Sequence, residues 1–186
     1  MKTLKKRILA FCGLLAVLMT VVTGCSSAEK EKNVVEGSGS WVEYSFEEAV
    51  KEAEIIVYGT AGEQGESKVR EGTDGKSAID YYHEIPIAVK ELVKGEDSGS
   101  VTYKEYGGET ADTIYKILDF VPLENGQDYV LFIDKDGFPL VPYAVAQVKD
   151  GAVSPGLLPE SAKGEDGKAP ESIPVDEYIT MIEEAI

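Results

Sequence analysis

The sequence predicts one mainly β domain, a small antiparallel barrel or sandwich with a short helix before its strands and an amphipathic helix after them. Three observations support this prediction. Short apolar runs recur along the chain, Gly and Pro residues separate them at the spacing of turns, and an apolar stripe of helical period lies at either end. The chain has 186 residues, enough for one domain with a core of its own, which we place at 41–186.

The first element of this domain is a predicted helix that leads into a strand. Ser45 and Glu48 match a capping box, in which the serine hydroxyl caps a helix and the glutamate reaches back to the serine amide. An apolar stripe follows, and after it the β-branched run 55–58 indicates a buried strand. The stripe consists of Phe46, Ala49, Val50 and Ala53.

The middle of the chain is predicted to alternate strands with loops. Residues 61–78 contain four glycines and no hydrophobic periodicity, which predicts a long mobile loop. From Ile79 to Val89 apolar and polar residues alternate, so a long half-buried strand is expected, and 101–106 is the next predicted strand.

The second half of the domain contains two further strands and a helix. Residues 129–133 predict a central strand, and 138–148 predict a strand that two prolines confine to an edge or a bulge. Residues 154–172 are rich in Pro, Gly and charge and predict a loose connector. A C-terminal helix is predicted over 173–186 from an apolar stripe. The stripe consists of Val175, Tyr178, Ile179, Ile182 and Ile186.

Residues 1–24 have the features of a signal peptide. Four cations precede the apolar run 8–22, which at about fifteen residues is too short to cross a hydrocarbon core comfortably. The end of this segment, Val22-Thr23-Gly24-Cys25, resembles the lipobox of bacterial lipoproteins. The resemblance implies cleavage between Gly24 and Cys25, and diacylglyceryl and palmitate-type chains on Cys25 that anchor the protein in the cell membrane on its extracytoplasmic side. The alternative is an ordinary signal peptide or an uncleaved anchor in which the cysteine occurs by chance.

The segment after the leader, 25–40, is predicted to be a lipidated flexible tether. It is polar and charged, ends in Gly37-Ser38-Gly39-Ser40, and has no core-forming pattern. The tether separates the anchor from the folded domain.

Charge and composition exclude several kinds of chemistry. Four of the 18 basic residues lie in the leader, so the remaining chain sets 14 cations against 34 acids, a net charge of −20, which argues against a nucleic-acid partner. The single histidine, His83, cannot build a His-rich zinc site. The acids at 134–136 and 165–166 lack the full spacing of a calcium loop and fit turns better. We therefore predict no metal site and no cofactor.

The order of elements resembles the netrin-like module of the OB-fold class, which tissue metalloproteinase inhibitors share. The matching pieces are the helix and strand at 46–58, Val93-Lys94-Gly95, and Leu123 and Gly126 followed by Tyr129-Val130-Leu131. The resemblance implies an OB-like barrel and extends to uncharacterised small bacterial lipoproteins with the same pattern. The inhibitors bind zinc through a free N-terminal cysteine, whereas Cys25 is expected to be acylated, so their mechanism is not implied.

Tyrosines provide the candidate binding face. Tyr81, Tyr103 and Tyr106 lie on predicted strands, and tyrosine supplies contact area at low entropic cost. His83 lies on the apolar face of its strand and is expected to be a core or barrel-lining residue rather than a base. These features favour a non-catalytic binding or interaction module whose ligand is an envelope protein or a glycan.

Two other functions stay open at the level of sequence. An extracytoplasmic hydrolase with a carboxylate pair requires two acids that converge in a concave pocket, at least one of them desolvated. An accessory subunit that docks through its C-terminal helix requires the apolar stripe of that helix to be exposed.

Overall fold

A computed structural model of the chain describes residues 32–70, 80–96, 99–163 and 168–186, which belong to one compact unit, Lys32–Ile186. The predicted leader, the cleavage site at Gly24 and Cys25, and tether residues 25–31 lie outside the described residues. So do parts of the predicted 61–78 loop and of the 154–172 connector.

The described chain is mainly β, with a short helix before most of its strands and a longer helix at its C-terminus, as the sequence predicts. The helices are α1 (Phe46–Glu52) and α2 (Val175–Ala185). The strands are β1 (Asn33–Gly37), β2 (Ile55–Ala61), β3 (Lys68–Arg70), β4 (Asp80–Lys94), β5 (Val101–Tyr106), β6 (Gly108–Glu109), β7 (Thr113–Ile117), β8 (Asp128–Ile133), β9 (Val145–Lys149), β10 (Ala152–Val153) and β11 (Ile173–Pro174).

Within the described residues, eight strands form the main sheet, and all of their pairings are antiparallel. Neighbouring strands follow the order β11-β10-β9-β8-β2-β4-β3, and β5 also pairs with β4. Among the described residues this path does not return to its first strand, so the predicted closed barrel is not shown.

The segment between β2 and β3 is held against β4. The amides of Gly62 and Gly65 donate to the carbonyl oxygens of Pro86 and Glu84, both at 2.8–2.9 Å. Residues 62–67 form no strand, as the loop prediction has it, but 68–70 form β3 and pair with β4, so the prediction is wrong for that part. Backbone hydrogen bonds hold the segment although its side chains are mostly exposed, which explains why hydrophobic periodicity does not reveal it.

One face of the main sheet packs against both helices. The predicted capping box is present, since Ser45 Oγ accepts from the Glu48 amide at 3.2 Å and Glu48 Oε2 accepts from the Ser45 amide at 2.8 Å. We call the buried residues of this layer the helix-side core. It consists of Phe46, Ala49, Val50, Ala53, Ile56, Val130, Phe132, Val141, Ala144, Ala146, Val148, Val153, Leu157, Ile173, Val175, Tyr178, Ile179 and Ile182.

The apolar stripe of α2 faces this core. Its first four members, Val175 to Ile182, are buried, and only Ile186 is exposed. The Tyr178 hydroxyl donates to the Leu157 carbonyl oxygen at 3.1 Å. The stripe is packed inward. The exposed apolar face that docking through this helix requires is therefore not present on α2.

The opposite face of β2 and β8 contributes to a second cluster, the cleft-side core. Successive residues of these strands alternate between the two cores, so that Ile56 faces the helices and Val57 faces the other side. The cleft-side core consists of Val57, Ala61, Ile85, Ile87, Val101, Tyr103, Leu123, Tyr129, Leu131 and Ile133.

The strand predicted at 138–148 begins later than expected. Residues Pro142–Ala144 form a 3-10 helix, and β9 starts only at Val145. β9 pairs with both β8 and β10, so it is an interior strand. Before the 3-10 helix, Pro139 forms only an isolated bridge with Ile133 in the described structure, which fits the lack of a proline amide to continue a ladder.

The predicted tether is wrong for its last part, because β1 belongs to a separate three-stranded sheet. In that sheet β1 pairs in parallel with β7, and β6 pairs antiparallel with β7. Val34 and Val35 are 51% and 48% exposed, so backbone pairing rather than burial holds β1. Beyond β1, the Gly39 amide and Trp41 Nε1 both donate to Asp119 Oδ2, at 2.8 and 3.1 Å.

Candidate functional site

An open cleft of about 940 Å³ lies between the main sheet and the three-stranded sheet. Its walls come from the segment after β2, from the adjacent ends of β4 and β5, and from β6, β7 and the loop after β7. The lining residues are Gln64, Gly65, Glu66, Ser67, His83, Glu105, Tyr106, Gly107, Gly108, Glu109, Ile114, Tyr115, Lys116, Ile117, Leu118, Phe120 and Pro122.

Glu105 is the buried polar group of this cleft. β5 alternates so that Val101, Tyr103 and Glu105 point inward, and Glu105 is only 6% exposed. Its Oε2 accepts from the Leu123 amide at 2.6 Å and its Oε1 accepts from Gln64 Nε2 at 3.0 Å. A carboxylate at the edge of the apolar core is thus held in place by two neutral donors.

Burial raises the pKa of Glu105 above its ordinary value, because removal from water disfavours the charged form. The hydrogen bond from Leu123, the proximity of His83 and the hydrogen bond from Gln64 oppose this effect without cancelling it. The carboxylate is therefore less acidic than one in water.

His83 lies opposite Glu105 in the register of β4 and β5 and is half-buried. Its Nδ1 is 2.8 Å from the carbonyl oxygen of Gly65. A carbonyl oxygen can only accept, so in the neutral imidazole Nδ1 carries the proton and Nε2 is an acceptor. The structure places His83 in the cleft lining.

Aromatic rings form much of one end of the cleft. The ring centroids of Tyr106 and Phe120 are 5.2 Å apart, and Trp41 packs against Phe120 edge-on at 4.8 Å. Tyr115 lines the opposite strand and stacks on Tyr81 at 4.1 Å with an interplanar angle of 10°. These contacts fix the rings before any ligand arrives.

Gly107 and Gly108 bring β6 close to the segment that contains Ser67. Gly107 has a φ angle of +110°, a backbone conformation that residues other than glycine rarely adopt. A Cβ on Gly108 would lie 2.2 Å from Ser67 Oγ, which accepts from the Glu109 amide at 2.9 Å. These two glycines therefore shape this wall of the cleft.

The structure separates the three tyrosines of the predicted binding face. Tyr106 lines the cleft, and Tyr81 is half-buried behind Tyr115. Tyr103 is fully buried in the cleft-side core, so its assignment to a binding face is wrong. Residues 103 and 106 are an odd number of positions apart on one strand and must face opposite sides.

Sequence reasoning missed Glu105, although the pattern contained a signal for it. Val101, Tyr103 and Glu105 share one face of β5, so a glutamate continues a buried face at its end. β7 carried no comparable signal. Its mixture of apolar and polar residues does not show whether the segment forms a cleft wall or a loop.

Metal-ligating residues do not cluster in the described ranges: no group of three or more His, Cys, Asp or Glu side chains there is arranged to hold an ion. In the same part of the chain, no helix is long and apolar enough to span a membrane. No family model matches the chain, and no curated protein matches it at a significant level.

Proposed function

We propose that the chain is a lipid-anchored extracytoplasmic protein whose folded domain binds a ligand in the cleft and does not transform it chemically. The observation that carries this proposal is the cleft itself, whose lining includes both a buried carboxylate and packed aromatic rings. Its volume falls in the range of about 300–1,000 Å³ that small-molecule sites occupy. The mixture of apolar wall and few oriented polar groups is also typical of such sites.

The leader supports the membrane location. The lipobox-like sequence ending in Cys25 follows a signal peptide, and two or more acyl chains give stable anchoring. Since β1 begins at Asn33, seven residues separate it from Cys25, with a reach of at most about 25 Å. The proposed anchor therefore keeps the domain near the membrane surface, and an envelope protein or glycan fits this location.

We also propose that the main sheet is a partly open, OB-like (netrin-like) barrel. Strands β5, β4, β2, β8 and β9 are neighbours on one antiparallel path, and residues of these strands pack around the cleft-side core. The Lys104 amide of β5 donates to the Gly137 carbonyl oxygen, in the turn after β8, at 2.8 Å. This hydrogen bond connects β5, at one end of this path, with the turn that follows β8, which is three strands away from β5 along the path.

The test of the cleft is a bound ligand that depends on it. We expect native mass spectrometry of protein purified from its own membranes to show a copurified small molecule. Leu118→Arg should lose this molecule, because Leu118 lines the cleft and is 61% exposed, so a longer, positively charged side chain occupies the cleft without disturbing the core. The matched control Ile186→Arg changes a residue 64% exposed at the C-terminus and should retain it. Equal retention by both variants would refute the cleft as the site.

The test of the anchor is Cys25→Ser. This variant should stay unprocessed and carry no added lipid mass, because serine cannot form the thioether to diacylglycerol. Normal processing together with detergent-phase partitioning would contradict the proposal. Mass spectrometry of the native N-terminus serves as the control, since it should show the added lipid mass on Cys25.

One observation favours hydrolysis instead, namely the buried Glu105 in a concave site. A carboxylate pair needs a second acid beside it. The other acids of the described lining, Glu66 and Glu109, are exposed, and Glu109 forms an ion pair with Lys32 at 3.1 Å. Binding is therefore the better supported function. Incubation of the copurified ligand with the protein should return it unchanged, whereas a cleaved product would favour the hydrolase.

A further inference from the structure

We infer that the ligand of the cleft is an organic cation, with an alkylammonium group directed at Glu105 and an apolar body against the aromatic lining. This inference rests on the proposed function, because it assumes that the cleft is a binding site. Three features of the cleft support it: the charge of Glu105, the hydrogen-bonding capacity of that carboxylate, and the aromatic rings of the lining.

The first feature is that Glu105 has no ion-pair partner in the described ranges, while His83, opposite it in register, lowers its pKa without cancelling the effect of burial. Both of its hydrogen-bond donors, the Leu123 amide and the Gln64 side-chain amide, are neutral. The ion pairs found in the described ranges involve other, more exposed carboxylates, and none includes Glu105. A buried charge without an opposite charge is costly, and a bound cation would supply that partner.

The second feature is the capacity of Glu105 to accept further hydrogen bonds. A carboxylate offers about four lone-pair sites. Each oxygen of Glu105 accepts one hydrogen bond from the protein, so each retains a second acceptor position. Because Glu105 is part of the cleft lining, a ligand can reach it from that side. Charge-assisted hydrogen bonds to such a carboxylate are about twice as strong as neutral ones.

The third feature is the aromatic lining. Tyr106, Tyr115 and Phe120 all line the cleft, and the negative faces of such rings attract cations. The protein already uses this interaction on another part of its surface, where Lys104 Nζ lies 5.7 Å from the Tyr82 ring centroid. Acid and aromatic groups together favour a cation with apolar substituents over a neutral or anionic ligand.

Other charges at the cleft modulate this preference. Glu66 and Glu109 add negative charge to the described lining, and Lys116 adds positive charge. All three are exposed. Lys116 should therefore oppose the entry of a cation, and its removal should strengthen cation binding.

The experiment compares 3-methylbutylammonium with 3-methylbutan-1-ol, which has the same carbon skeleton with a neutral hydroxyl in place of the ammonium group. Equilibrium dialysis of each compound against the full-length protein in detergent, at matched ionic strength, measures both affinities. We expect the ammonium to bind roughly tenfold or more tightly than the alcohol, since its N–H groups donate charge-assisted hydrogen bonds to the Glu105 carboxylate and such bonds are about twice as strong as neutral ones. Glu105→Gln should remove the preference, and Glu91→Gln, an exposed change of equal charge on β4, should keep it.

A second variant covers the case in which Glu105→Gln does not fold. Lys116→Gln changes an exposed side chain and should tighten 3-methylbutylammonium binding by a few fold while leaving the alcohol unchanged. An equal affinity for the ammonium and the alcohol in the unmodified protein, or no detectable binding of either, would overturn the inference. Loss of a copurified ligand in Leu118→Arg would still support the cleft as a binding site in that case, so the two proposals fail separately.

Discussion

The two cores on opposite faces of β2 and β8 differ in how well their buried polar groups are hydrogen-bonded. The helix-side core is closed by α1 and α2, and its buried Tyr178 hydroxyl has a hydrogen-bond acceptor. In the cleft-side core the Tyr103 hydroxyl is buried without a partner among the described residues. Glu105 lies on the same face of β5 and is buried with only neutral donors. One face of the sheet thus satisfies its polar groups, and the other carries polar groups at an energetic cost.

This difference suggests a division of roles. Buried polar groups without full partners lower stability, so their presence calls for an explanation other than folding. The cleft adjoins the core that contains them, which associates the energetic cost with the candidate binding site. The helix-side core then provides the stability that the other face reduces.

The largest predicted effect breaks the helix-side core. Ile182 is fully buried on α2, so Ile182→Ala should lower the free energy of unfolding by about 2–5 kcal/mol through lost burial and a residual cavity. Urea unfolding monitored by circular dichroism measures the change. Ile186→Ala, on the residue four positions later that is 64% exposed, should stay within about 0.5 kcal/mol. Similar losses in both variants would show that α2 is not packed as described.

The next predicted effect concerns the pH dependence of the cleft-side core. The folded protein holds the proton of Glu105 more tightly than the unfolded chain does, because burial raises the pKa above the ordinary value of 4.5. Stability contributed by this group is therefore present at low pH and falls as the pH rises from about 4.5 through the raised value. Urea unfolding of the wild type and Glu105→Gln between pH 4 and 8 should show the wild type losing stability relative to the variant over this window.

The control for this titration is Glu91→Gln, which removes an exposed carboxylate from β4. The wild type should not lose stability relative to this control over the same pH window. Parallel pH profiles for the wild type and Glu105→Gln would mean that Glu105 is not desolvated in the folded protein.

The sequence predicted the elements that bury a periodic side-chain pattern and missed those held by backbone pairing. The stripe of α2 and the capping box of α1 could be identified because each leaves a local signature. β1 could not, since Val34 and Val35 remain half exposed and its pairing partner lies 80 residues further along the chain. Hydrogen bonds to a distant backbone leave no periodicity in the strand that makes them.

The cleft was harder to predict for a related reason. Its lining comes from four separate segments between Gln64 and Pro122, and no local pattern indicates that they meet. Tyr106 was predicted as part of a binding face, and Glu105 had a visible signal as a charged residue that continues the inward face of β5. Strand alternation also sufficed to place Tyr103 and Tyr106 on opposite faces, so the error in the tyrosine face came from grouping residues by type rather than by parity.

The smallest predicted effect compares the two cores directly by removing one hydroxyl from each. Tyr178→Phe loses the hydrogen bond to Leu157 and should lower the free energy of unfolding by about 1 kcal/mol. Tyr103→Phe removes a buried hydroxyl that has no partner in the described structure, and should raise the free energy of unfolding by about 1 kcal/mol. Urea midpoints of the two variants, measured side by side at one pH, should move in opposite directions. A loss of stability in Tyr103→Phe would show that its hydroxyl finds a partner in solution, and the contrast between the two cores would then rest on Glu105 alone.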